Sequence, residues 1–358
     1  MSNLKHKVVN MFFYCLGFSY ILKFINRKKI RVLMYHGVGN QQTDFNLDIP
    51  SLIISIKNFE KQINYLSKSY NIISMYDLAS HIKKKIPFPS NSVIITFDDG
   101  LKNNFINAFP ILQKYNIKAT VFLITDYIDT LKISWLNKFS YVTKKIGLSE
   151  FVEEFKRKFP AYSNLTGKIG QKNIIELTNF ILRYKVDDNI REKFIQGLYN
   201  KFKIKINKKK IKDLYLSWKE IKKMSDSGIS FGSHTSTHPV LSMLNYKKKK
   251  KEIVNSKKNI EVKLDKKINL FAYPYGNKDD FDLNIKKILV NNNFLCAVSG
   301  IDGFNNLNSD LYELKRICIV DEPFYYFKMR IEGFEGLIER IYQKLFRFFK
   351  RITFSPSP

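Results

Sequence analysis

Two short segments of this chain hold the side chains that chemistry would need: Thr96-Phe97-Asp98-Asp99-Gly100 and Ser233-His234-Thr235-Ser236-Thr237-His238-Pro239. His234 and His238 stand four residues apart, so on a helical turn both imidazoles reach one ion. Alone, such a pair is also read as two polar loop residues, and Asp-Asp-Gly as an ordinary turn after a strand. Together they supply enough donors to hold one divalent ion and leave a carboxylate beside it. Three N/O ligands with an open position is how catalytic zinc is held, the open position taking water or substrate. Consecutive residues leaving a strand point in different directions, so one of Asp98 and Asp99 binds metal while the other faces the attacking water. The chemistry is metal-assisted hydrolysis. His36 is either a proton donor to a leaving group or a capping or core histidine.

The elements that must position these groups read as βα units. Arg31–Tyr35, Ser92–Phe97, Lys118–Ile124, Gly228–Gly232 and Asn269–Tyr273 are apolar strands, with a brief one at Asn71–Ser74. Helical periodicity runs over Ile54–Leu66, Met75–Lys83, Asn104–Tyr115 and Lys247–Leu264, which makes a mainly parallel α/β sheet. His36, the Asp98-Asp99 pair, His234 and the Tyr273-Pro274-Tyr275-Gly276 turn each follow a strand, at the end that carries active sites in such folds. Residues 130–215 break the alternation with helical patterns at Phe151–Phe159 and Asn173–Leu198, and are expected to be a helical insertion. The lysine run Lys247–Lys251 reads as a solvated helix face.

The net charge is +29, from 61 basic and 32 acidic residues. Only ten of the basic residues are arginine, the residue that reads bases bidentately, so no specific nucleic-acid partner is expected. Three cysteines (Cys15, Cys296, Cys318) are too few for a disulfide framework and favour a reducing compartment, and Cys296 and Cys318, beside apolar stretches, are expected to be buried. Residues 1–29 form an apolar stretch, Val8–Leu22, between basic residues. It has no small-residue cleavage site and is short for a span, so a helix on the membrane or packed on the domain is expected. Residues 326–358 carry a second basic amphipathic pattern, Gly336–Phe354. An anionic membrane surface is therefore an expected partner. The expected location is cytoplasmic, peripheral at the inner face of the membrane, the alternative being an N-terminal anchor with the domain outside.

The two opening segments, with Asn104, Ala108, Pro110, Leu112 and Ala119-Thr120-Val121-Phe122 after the first, resemble the polysaccharide deacetylase family (NodB-homology domain, carbohydrate esterase family 4). Phe271-Ala272-Tyr273-Pro274-Tyr275-Gly276 resembles its third motif. The resemblance covers about residues 30–125 and 215–320. It implies an irregular (β/α)7 barrel over residues 30–325, carrying the insertion at about 130–215. It implies Asp98 as general base, and Asp99, His234 and His238 as ligands of one divalent metal ion, with zinc expected. The usual reaction removes an N- or O-acetyl group from a sugar.

Two positions depart from the family pattern. Ala272 stands where the family often has an arginine that orients the base, and Arg316 is the expected substitute. No histidine follows His238, where a late Leu-x-Leu-x-His is usual. Leu33-Met34-Tyr35-His36-Gly37-Val38 instead resembles the N-terminal motif of a permuted branch acting on exopolysaccharide, which implies His36 as the general acid. Tyr273, Pro274, Tyr275 and Trp135 are the expected substrate-binding residues, with core packing as the other reading of the aromatics. The expected function is a metal-dependent carbohydrate deacetylase, a hydrolase of C–N bonds other than peptide bonds, on a bacterial-type glycan or its precursor. The alternatives are a non-catalytic glycan-binding relative and a metal-dependent amidase of a small molecule or sugar nucleotide.

Overall fold

In the computed structural model, the described residues are 2–40, 49–161, 181, 183 and 186–338. The sheet is wholly parallel. Its ring is built from β1 (Arg31–Tyr35), β5 (Ser92–Phe97), β6 (Thr120–Leu123), β7 (Ser230–Ser233), β8 (Leu270–Ala272), β9 (Cys296–Val298) and β10 (Ile317–Cys318), in the order β10-β1-β5-β6-β7-β8-β9. A short β4 (Asn71–Ile72) pairs with the start of β5. Two further short strands, β2 (Gly37–Val38) and β3 (Ile53–Ile54), pair apart from the ring. The ring closes through the segment ahead of β10. Leu314 N–H donates to Ala297 O (3.0 Å), and Ser299 N–H to Leu314 O (2.8 Å). This is an irregular (β/α)7 barrel.

Both faces of β1, β5, β6, β8 and β9 are buried, which is why these strands read as continuous apolar runs. Strand alternation sorts the residues into two clusters. Val32, Ile94, Phe122, Leu270, Ala272, Cys296, Val298 and Leu314 form one, while Leu33, Tyr35, Val93, Ile95, Phe97, Val121 and Phe231 pack under the outer helices in the other. Gly232 is needed inside the ring, because a Cβ there would meet the Phe122 ring at 2.6 Å. His36, Asp98, His234 and Arg316 continue the parity of the first cluster beyond or beside the strand ends.

The expected helix over Asn104–Tyr115 is interrupted. Asn104–Ala108 is a π-turn, and an α-helix resumes only at Phe109–Lys114. Pro110 has no N–H for the preceding turn, and the wider turn accommodates that. The helices Trp135–Ile146, Leu148–Lys158 and Asp188–Lys201 pack around Phe139, Phe151, Phe155 and Phe194, with Leu101, Ile124 and Tyr215 from the barrel loops in the same cluster. The expected pattern over Asn173–Leu198 lies partly outside the described residues.

Three expectations are corrected. The N-terminal stretch is two helices, Ser2–Cys15 and Phe18–Ile25, separated at Gly17, whose φ of +74° suits glycine. The lysine run is not wholly solvated: Lys249 is buried and ion-paired with Asp282. Cys318 is only half-buried, whereas Cys296 is buried. Of the C-terminal amphipathic pattern, Leu337 and Ile338 pack against the cluster of Leu22, Met329 and Phe334, and residues 339–358 lie outside the described residues.

Candidate active site

Asp98 ends β5 with its N–H donated to Tyr35 O on the neighbouring strand (3.0 Å). Its carboxylate is 4% exposed and receives both ends of the Arg316 guanidinium, each at 2.7 Å. Arg316 is itself buried and fixed by Nε donation to Ser299 O (2.7 Å). Burial alone would raise the Asp98 carboxyl. The Arg316 charge and hydrogen bonds, with His234 and His36, overcome that and hold it well below the usual carboxylate range. Asp98 is therefore ionised at neutral pH. Arg316 reaches Asp98 across 218 residues of sequence.

Asp99, His234 and His238 converge so that one donor atom from each lies within 4.8 Å of the others. Asp99 Oδ1 is 3.6 Å from Nε2 of both histidines. His234 Nδ1 is 2.8 Å from Ala272 O. A carbonyl only accepts, so Nδ1 carries the proton and Nε2 presents its lone pair to the site. Burial lowers both imidazoles, His238 strongly and with further lowering by His234. Neutral imidazole is the form that binds a cation. A carboxylate and two neutral imidazoles, one oriented by a carbonyl, fit a divalent ion of the zinc type.

The backbone is strained here. Asp99, Thr235, His238 and Tyr275 all have φ between +60° and +70°, a conformation that costs non-glycine residues of order 1–3 kcal/mol each and collects at functional sites. Glu252 holds the loop between the two histidines. Its carboxylate accepts from Ser236 N–H (3.0 Å), Thr237 N–H (2.9 Å) and Thr237 Oγ1 (2.9 Å). The sequence reading missed Glu252, because nothing local to the helix Tyr246–Leu264 marks one glutamate among its lysines.

His36 lies at the end of β1, close enough to Asp98, Arg316 and His234 to feel their charges. Burial pushes it down to about 4, against the raising influence of Asp98, so it is neutral at pH 7. Its Nδ1 is buried with no hydrogen-bond partner among the described residues.

The expected substrate aromatics divide. Tyr275 is partly accessible, in edge contact with His238 (4.6 Å), with the Arg183 guanidinium 3.4 Å from its ring centroid. Its N–H has no acceptor among the described residues. Trp135 is a brace rather than a sugar platform: it is 5% exposed, donates Nε1–H to Tyr275 Oη (2.9 Å) and lies under Arg191. Tyr273 is 1% exposed, stacks on Phe281 and donates to Tyr312 O, which places it in the core. Pro274 is buried. These three side chains offer no face to a sugar. Arg183, also missed in the sequence, is anchored by Asp280 (2.7 Å).

The family model described as polysaccharide deacetylase matches residues 85–149 and 161–291, together more than half of the chain. The chain belongs to the polysaccharide deacetylase family. It is 35% identical over 94 residues to the poly-beta-1,6-N-acetyl-D-glucosamine N-deacetylase of Staphylococcus epidermidis, a match covering 26% of this chain and 32% of that protein. The chain thus spans about a third of that relative's length. Among solved structures it is similar to IcaB from Ammonifex degensii (TM-score 0.54, 17% identity, 86% of this chain and 97% of that one). It is also similar to the Streptococcus pyogenes deacetylase PplD in complex with acetate (TM-score 0.53, 19% identity, 82% and 92%). At these identities the likeness shows the fold.

Proposed function

We propose that this protein is a metal-dependent deacetylase that hydrolyses N-acetyl or O-acetyl groups on a glycan or its precursor. The observation that carries this reading is the ionised Asp98, locked by Arg316 beside the convergent Asp99, His234 and His238. Those three residues would hold one divalent ion, zinc by the chemistry of the donors. The chemistry such an ion supplies when bound is polarisation of the acetyl carbonyl and acidification of a water.

Asp98 takes the proton of the attacking water. Arg316 fixes the direction of its lone pairs and keeps it ionised, so an acceptor is available throughout the neutral range. The Tyr275 N–H stands as a donor to the oxygen of the acetyl carbonyl as negative charge develops there. His36 is neutral in the resting site. Negative charge developing on the reacting group raises its affinity for a proton, which it takes up from solvent at its partly exposed edge and then delivers to the departing amine or alcohol. Water is kept from most of this machinery by burial: Asp98 is 4% and His234 2% exposed.

The substrate named for the staphylococcal relative, a β-1,6-linked N-acetylglucosamine polymer, is the first to try. The test is metal content and acetate release of the wild type beside His234→Ala. About one ion per chain, lost with the activity in the variant, is the expected result. A wild type that binds no divalent ion after zinc is supplied would end the hydrolase reading.

A further inference from the structure

We propose that the two N-terminal helices form a docking surface for an anionic lipid bilayer, lying flat in its interface. The pair is fixed to the barrel by its inner face. Phe13 and Phe18 pack on Phe334 (centroids 5.3 and 5.9 Å), and Leu22 is buried with Met329. Asn26 donates to Glu332 O (2.8 Å), and Arg27 O accepts from Asn91 N–H (2.7 Å) just ahead of β5. The outward side chains are then large and apolar: Tyr20, Ile21, Phe24 and Ile25 share one face of Phe18–Ile25 by helical spacing, with Phe12 and Leu16 ahead of them, each 51–67% exposed. Single exposed apolar residues are ordinary, but a contiguous set on one face marks an interaction surface.

Charge selects the occupant. Residues 1–43 contain seven Lys or Arg and no Asp or Glu. Arg27 lies over the Phe24 ring (4.0 Å), and Lys28 is exposed beside it. A second copy would bring like charge against like. Anionic headgroups with acyl chains behind them match both the basic rim and the apolar face. The geometry favours lying on the bilayer over crossing it. No single helix among the described residues is long and apolar enough to span, and the pair is bent by 80°. Straightening it would expose Phe13, Phe18 and Leu22. Arg27 anchors the pair beside the strand starts, the end of the barrel opposite Asp98 and His234, so docking leaves the site open to a glycan in solution.

The test is co-sedimentation of the full-length protein with vesicles of phosphatidylcholine alone or mixed with phosphatidylglycerol. The wild type is compared with Ile21→Glu/Phe24→Glu. Both substituted positions are exposed, so the fold should survive, and an unchanged melting temperature and metal content would verify this. The expected result is binding at least roughly tenfold stronger on the anionic vesicles, weakened by salt and lost in the double variant. Three results would overturn the proposal. Equal binding to both vesicle types removes the charge argument, and unchanged binding by the folded double variant moves the contact elsewhere, as to residues 339–358. A concentration-dependent dimer that the same substitutions dissociate would assign the face to a second copy. None of these outcomes bears on acetate release, so this inference and the proposed activity fail separately.

Discussion

The barrel holds a buried arginine–carboxylate pair at each end, and they differ in what surrounds them. At the strand starts, Arg31 pairs with Glu332, and the remaining donors are spent: Nε on Ile331 O (2.9 Å), Nη1 on Asn26 O and Lys29 O (3.4 and 3.3 Å), while Tyr70 donates to the same carboxylate. At the strand ends, Arg316 pairs with Asp98 beside three convergent metal-type donors, an unpartnered His36 Nδ1 and four left-handed residues. The first pair closes its hydrogen bonds on backbone that must stay put, tying the N-terminal helices to the helix Phe324–Ile331. The second aims its charge at a place where something else must arrive. A buried ion pair alone therefore says little about function; the unfinished bonding around it does.

The same isosteric change at both ends should separate these roles. Asp98→Asn is expected to lower turnover by ~10² to 10⁴ while the folded protein still binds its metal, read by acetate release and metal analysis. Wild-type turnover would remove Asp98 as the base. Glu332→Gln should do the reverse. It is expected to lose on the order of 3 kcal/mol of stability, seen as a lower urea midpoint, with the turnover of the folded fraction unchanged. If it lost turnover at unchanged stability, the contrast between the two ends would fail.

A smaller effect is expected at the loop between the histidines. Glu252→Ala should weaken metal binding by ~10- to 100-fold with little change in the melting temperature of the metal-free protein, and chelator competition would measure it. Unaltered affinity would reduce Glu252 to a packing residue. The smallest difference lies in acid. Asp98 titrates in the folded state below its unfolded value, so the unfolded chain takes up the proton first as pH falls. Its stabilisation is therefore full above the unfolded carboxylate value of about 4 and is lost below it. Urea midpoints of the metal-free protein between neutral and acid pH should fall more steeply for wild type than for Asp98→Asn; parallel curves would contradict the assignment.

The strands were legible because burial on both faces writes a continuous apolar run, and the placement of His36, Asp98, Asp99 and His234 at strand ends followed from those runs. The short closing strands β9 and β10 were not legible, since three and two residues carry no period. Trp135 and Tyr273 misled because an aromatic near a motif looks the same whether its ring faces a sugar or the core. Only the packing of Phe281 and Tyr275 against them distinguishes the two.

The sequence by itself determined the donor types, their order along the chain and the alternation that turns Asp98 and Asp99 to different sides, because these are properties of residue identity and local backbone geometry. The tertiary structure alone decided which distant groups meet. Arg316 reaches Asp98 and Ala272 O sets the His234 tautomer because the sheet order brings strands far apart in sequence within hydrogen-bond distance, and Glu252 grips the loop to His238 because the helix Tyr246–Leu264 packs back against it; no local pattern encodes those distances.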